Sequence, residues 1–185
     1  IKQKPVFRNS AKINDDIYVT GDLGDSYLGL LILKKKINFG KFNNYFRNSY
    51  QEPKLPLKFA HFLYKFASSS MDISDGLIKD LENICISSKC GAQINFSNLP
   101  FSNLAKKMLK LNKINTSDIF SRGDDYQILF TANQKFRELI HLTSKKTSTK
   151  TTRIGRVLKG KSIIILKDDK ILDFSGAKTG YIHKF

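Results

Sequence analysis

At 185 residues the chain is long enough to bury a core and short enough for one domain, and its opening on Ile1 rather than Met reads as a piece of something longer. Hydrophobic residues make up 41% and charged residues 26%, and no apolar run approaches the roughly 18 residues of a membrane span, so neither a spanning segment nor a secretory leader is expected and the cytoplasm is. The formal charge of +16 suggests a polyanion partner, but the excess is mostly Lys scattered among Asn, Ile and Phe, with no RNA-binding signature or zinc-finger spacing, and argues against nucleic acid as the partner.

In chain order, Lys2 to Asn14 is a polar lead that contains Arg8. Asp16 to Thr20 reads as a strand, and Gly21-Asp22-Leu23-Gly24-Asp25 turns it into a helix carrying Tyr27, Leu28, Leu30 and Leu31. A Gly-rich strand-to-helix turn of this kind can admit phosphate, although most such turns are structural. Lys34 to Gln51 is a charged connector, helical in part, stopped by Pro53 and Pro56. Leu57 to Phe66 predicts a helix with Phe59, Phe62, Leu63 and Phe66 on one face. Phe66 to Ile73 reads as a buried strand, followed by a helix whose apolar residues Leu77, Ile78, Leu81, Ile84 and Cys85 recur at i, i+3 and i+4.

Gly91 is a plausible C-terminal stop for that helix, and Gly91 to Phe96 then alternates as a strand. Cys85 and Cys90 are too few for a zinc site and read as small buried hydrophobes. Phe101 to Leu111 and Thr116 to Phe120 predict short helices, Gln127 to Thr131 a strand, and Phe136 to Thr143 a helix. Ser144 to Lys150 is low-complexity and polar, a solvated loop. Thr152 to Leu158 and Lys161 to Lys167 predict a hairpin around Lys159-Gly160, before a polar tail that contains Tyr181 and His183. The irregular interleaving points to an α+β fold, helices packed on a mixed sheet.

The stretch with chemistry in it is Asp72-Ile73-Ser74-Asp75-Gly76-Leu77. It puts two carboxylates at a strand-to-helix junction about one turn apart, where they repel unless a cation or proton lies between them. A hard cation such as Mg²⁺, completed by phosphates and water, fits that geometry, and free N–H groups at the helix start would attract phosphate oxygens. The competing reading is that Ser74 or Asp72 merely caps the helix. His61, His141 and His183 show no ligand spacing.

Taken together, Thr20-Gly21-Asp22-Leu23-Gly24-Asp25, Met71-Asp72-Ile73-Ser74-Asp75-Gly76-Leu77 with Asp80-Leu81, Gly123-Asp124-Asp125-Tyr126-Gln127-Ile128-Leu129-Phe130, Ile154-Gly155, and Gly180-Tyr181 with His183 occur in the order and spacing of thiamine-monophosphate kinase. The sequence resembles that family's C-terminal half, within the aminoimidazole-ribonucleotide synthetase-like superfamily. The resemblance implies that residues 15–185 form the C-terminal α+β domain and residues 1–14 a connecting segment from an N-terminal ATP-binding domain, through which such proteins pair as homodimers. It also implies ATP- and Mg²⁺-dependent phosphorylation of thiamine monophosphate to thiamine diphosphate. Carried over position by position, Asp72 and Asp75 resemble the magnesium ligands and Arg8 and Ser74 the ATP contacts. Asp124, where the family has Glu, and Tyr181 resemble the substrate contacts. A reading from another class is that the polypeptide is a non-catalytic basic binding module or an inactive fragment of that family.

Overall fold

The computed structural model describes residues 4–112, 119, 122–168 and 170–171. Tyr181 and the rest of the tail, and all of the expected Thr116 to Phe120 helix except Ile119, lie outside the described residues. Among the described residues, seven strands and six helices follow one another as β1 (Asp16–Thr20), α1 (Asp25–Leu33), α2 (Asn43–Gln51), α3 (Leu57–Ala60), β2 (Ala67–Asp72), α4 (Leu77–Ser88), β3 (Gly91–Asn95), α5 (Asn103–Asn112), β4 (Ile128–Ala132), α6 (Arg137–Thr147), β5 (Thr151–Leu158), β6 (Ile163–Lys167) and β7 (Lys170–Ile171).

The strands form one sheet in the order β2-β4-β1-β5-β3-β6-β7. All neighbours are antiparallel except β3 and β6, which run parallel, so the sheet is mixed as expected. β1 lies inside the sheet between β4 and β5, and every residue of it is buried. Its alternation feeds two cores. Ile17 and Val19 point to the larger one, shared with Leu28 of α1, Leu81 and Ile84 of α4 and Met108 of α5. Tyr18 points to the smaller one, where it stacks on Phe130 of β4 at 5.1 Å between ring centroids. Asp16 starts the strand as a buried carboxylate held by Arg137 of α6, whose Nε and terminal nitrogen donate at 2.6 and 2.9 Å.

Five expectations from the sequence are corrected by this arrangement. β2 is an edge strand, not a buried one. Among the described residues it pairs only with β4, and of its side chains only that of Ser69 is buried, bonded to Thr131 Oγ1 at 2.9 Å. Along its outer side runs the polar lead, with the Ser70 N–H donating to the Phe7 carbonyl at 3.3 Å. The helix expected from Leu57 to Phe66 stops at Ala60, and Leu63–Lys65 makes a separate tight turn. A straight helix would string Phe59 and Phe66 along a stripe, whereas here both rings gather on Phe130, each 5.7 Å away.

The expected hairpin does not form, because β3 inserts between β5 and β6 and pairs with both. Gly155 of β5 makes room for it, since a Cβ there would stand 1.9 Å from the Gln93 carbonyl oxygen. Ser144 to Lys150 is not a solvated loop throughout. α6 continues to Thr147, Thr143 and Thr147 are buried, and the Thr147 hydroxyl donates to the Thr143 carbonyl at 2.8 Å. At the end of α4 it is Lys89, with φ 55, that takes the left-handed C-terminal position, two residues earlier in the chain than Gly91. Cys85 and Cys90 are free and buried, as expected of small hydrophobes.

Candidate functional site

β1 and β2 finish at the end of the sheet where β4 and β5 begin, so the segments after Thr20 and Asp72 and those before Ile128 and Thr151 meet there. The Asp72 to Gly76 loop is clasped to the Gly123 to Gln127 segment by backbone bonds. Ile73 N–H donates to the Gln127 carbonyl at 2.8 Å, Tyr126 N–H to the Ile73 carbonyl at 2.9 Å, and Asp124 N–H to the Ser74 carbonyl at 3.0 Å. Gly123 is required by this approach, since a Cβ on it would lie 1.6 Å from the Ser74 carbonyl oxygen. Asp124 and Tyr126 both take the left-handed backbone, with φ 72 and φ 50, conformations that non-glycine residues hold only where the surroundings impose them.

The clasp brings Ser74 and Asp75 beside Asp124. The Asp124 carboxyl is pushed above the usual carboxylate range, first by burial and then by the negative charge of Asp75. Asp72 is exposed and Asp75 half-buried, and neither carboxylate has a hydrogen bond or ion pair among the described residues. Two uncommitted carboxylates at a strand exit are the hard oxygen donors that Mg²⁺ takes, so the residues fit that ion. They form only part of a ligand set, for no group of three metal-ligating side chains occurs among the described residues.

Neither Ser74 nor Asp72 caps α4. The capping acceptor is Asp80, one turn into the helix and 1% exposed, whose Oδ2 accepts the N–H groups of Ser74, Asp75 and Gly76 at 3.0, 3.1 and 3.1 Å. The loop amides of residues 74–76 are therefore committed inward and not open to phosphate. Burial pushes the Asp80 carboxyl up to about 6 against the opposing pull of those N–H groups. The glycine turn after β1 is committed as well. Gly21 N–H donates to the Lys150 carbonyl, Leu23 N–H to the Pro100 carbonyl, each at 2.8 Å, and Gly24 N–H to both oxygens of Asp125 at 2.9 and 3.0 Å. Phosphate finds none of those three donors open.

Sequence reasoning missed Asp125, which is buried behind Asp124 with its carboxyl pushed up to about 8 by burial. It also missed Asp25, buried and bonded by the hydroxyls of Tyr45 and Ser102 at 2.8 Å each. Asp22, Asp25, Asp125 and Gln127 line a cleft of about 590 Å³, together with the 52–56 segment and Lys150. The cleft touches the 123–127 segment, yet Asp72, Ser74, Asp75 and Asp124 do not line it, so this cleft and the uncommitted carboxylates are neighbours rather than one site. Lys150 pairs with Asp22 at its rim. Arg8 is carried past β2 by the lead, where its carbonyl accepts from Ser88 Oγ at 3.2 Å. Its exposed guanidinium makes no bond to the Asp72 to Gly76 loop.

No family model matches the chain. A thiamine-monophosphate kinase from Buchnera aphidicola (subsp. Schizaphis graminum) is 34% identical over 181 residues, 96% of this chain and 55% of that protein. This chain belongs with the thiamine-monophosphate kinases. The Escherichia coli kinase is 33% identical over 152 residues, which are 81% of this chain and 46% of that protein. The chain thus spans about half the length of the curated relatives it matches. Among solved structures, the one described as AaThiL complexed with AMPPCP and TMP superposes with a TM-score of 0.79 at 29% identity, covering 97% of this chain and 54% of that one. A hydrogenase maturation protein, HypE from Escherichia coli, shares the fold with a TM-score of 0.67 at 14% identity.

Proposed function

We propose that the chain forms the C-terminal half of a thiamine-monophosphate kinase, which transfers the γ-phosphoryl group of ATP to thiamine monophosphate and yields thiamine diphosphate and ADP. The observation that carries this reading is the clasp between the Asp72 to Gly76 loop and the Gly123 to Gln127 segment, because it sets Ser74 and Asp75 against Asp124. Asp72 and Asp75 would hold Mg²⁺, Ser74 and Arg8 would contact ATP, and Asp124 and Tyr181 would contact thiamine monophosphate. The relatives' names support the reaction, and a related structure described with both AMPPCP and TMP supports the pair of ligands.

Joining two phosphates requires neutralising and aligning anions more than covalent work by the protein, which suits a site of carboxylates and hydroxyls without a nucleophile. When bound, Mg²⁺ supplies the positive charge that lets the two phosphates approach. Within this chain, Asp72 and Asp75 would receive that charge, and Asp124 stands within the influence of Asp75, where a cationic thiazolium or an amino-pyrimidine would meet a carboxylate. Two carboxylates are too few oxygen donors for such a transfer on their own, so the remaining ligands come from elsewhere in a longer polypeptide.

The test is formation of thiamine diphosphate from thiamine monophosphate and ATP. The full natural chain carrying residues 1–185 is expected to form it with Mg²⁺ and to stop with a chelator, while residues 1–185 alone turn over below detection. Robust turnover by the isolated 185 residues, or none of this substrate by the longer chain, contradicts the proposal.

A further inference from the structure

We infer that Asp80 is a positioning residue for the metal, one that sets the affinity of the Asp72 to Gly76 loop for a divalent cation without touching it. This rests on the reading of Asp72 and Asp75 as cation ligands. Three consecutive amides, those of Ser74, Asp75 and Gly76, converge on a single oxygen, Asp80 Oδ2. The carbonyls beside them are bonded too, that of Ile73 by Tyr126 N–H and that of Ser74 by Asp124 N–H. Every peptide dipole of the loop is thereby fixed in direction.

The direction matters for what the loop can bind. A strand-to-helix loop with open amides is an anion cradle, since its N–H groups point at the ligand. Here buried Asp80 draws the positive ends of three peptide dipoles onto itself, while Asp72, exposed, and Asp75, half-buried, stand uncommitted. A cation approaching those carboxylates meets no outward N–H from residues 74–76. Gly76, with φ 118, supplies the backbone freedom that lets three successive amides reach one acceptor.

The two oxygens of Asp80 are unequal. Oδ2 accepts all three bonds, while Oδ1 is buried with no hydrogen-bond partner. A residue kept for helix capping alone has no need of a second, unpartnered oxygen in a buried place, and the neutral oxygen of Asn would accept the same three N–H groups more weakly. The full carboxylate gives something Asn does not, a negative charge close behind Asp75. Groups that orient metal ligands from behind typically change metal affinity by about 10- to 100-fold when removed.

The experiment titrates Mn²⁺ into the full natural chain carrying residues 1–185, followed by the paramagnetic resonance of free Mn²⁺, alongside amide hydrogen exchange at residues 74–76. Asp80→Asn is expected to raise the Mn²⁺ dissociation constant about tenfold or more and to speed exchange at those three amides, while exchange in the rest of α4 stays as in the parent. Asp75→Asn is expected to abolish the site and leave the three amides protected. Parent-like Mn²⁺ affinity in Asp80→Asn, with binding lost in Asp75→Asn, overturns the inference alone. Parent-like affinity in both Asp72→Asn and Asp75→Asn, or a parent that binds no Mn²⁺, overturns the metal reading and this inference with it. If Asp80→Asn does not fold, Asp80→Glu decides: it keeps the charge but displaces it by a methylene, and faster exchange at 74–76 with unchanged Mn²⁺ affinity overturns the inference.

Discussion

Asp124 was legible in the sequence as part of a motif, but its setting was not. It sits half-buried in a left-handed backbone, under the charge of Asp75, while its neighbour Asp125 turns inward to Gly24. Spacing alone cannot say which of two adjacent carboxylates faces the solvent, because the left-handed turn that separates them is set by the clasp with Ser74 and not by local preference. The same limit applied to Asp80, whose three amide partners lie four to six residues back in the chain and only converge once Gly76 takes its positive φ. For Asp124 the expected outcome is specific. In the full natural chain, Asp124→Ala raises the KM for thiamine monophosphate with little change for ATP, and Asp124→Glu keeps or lowers it, the pattern of ground-state binding. Steady-state kinetics of both variants check this, and an unchanged KM in Asp124→Ala removes the residue from the site.

At the scale of elements, α1 and α2 show how a packing contact can depend on one residue. Gly29 of α1 faces α2 so closely that a Cβ would stand 2.0 Å from the Phe46 carbonyl oxygen, and that backbone atom cannot swing aside as a side chain would. Gly29→Ala is therefore expected to destabilise the chain by about 1–3 kcal/mol, the usual cost of overpacking, measured by urea denaturation. A change of a few tenths would mean that the two helices separate freely. The element most readable from sequence was α4, whose buried residues recur at helical spacing. The hairpin and the long Leu57 to Phe66 helix were misread for a common reason. Both depend on a distant partner, β3 in one case and Phe130 in the other, which local pattern does not reveal.

Across the whole molecule, the sheet order joins segments far apart in the chain, and the α+β class and mixed sheet were legible while the order was not. The same folding buries carboxylates at one end of the sheet, and this has a pH signature. Burial raises the Asp125 carboxyl to about 8, and raises that of Asp25 as well, above the unfolded value of about 3.9. The folded state thus holds protons on these two groups that the unfolded chain releases, so their contribution to stability is full below about pH 4 and declines as pH rises towards 8. Denaturant midpoints at pH 5 and pH 8 are expected to show the loss, and Asp125→Asn to flatten it; stability that rises over this window would mean that Asp125 is ionised and held by the Gly24 amide. The proposed site rests on the uncommitted carboxylates, Asp72 and Asp75, and they give the most direct test of the account. Turnover of thiamine monophosphate with ATP and Mg²⁺ is to be measured in the full natural chain for Asp72→Asn and Asp75→Asn. The account predicts a loss of orders of magnitude in each, with the melting temperature unchanged or raised because a like-charge repulsion is relieved; turnover within a few-fold of the parent in both would contradict it.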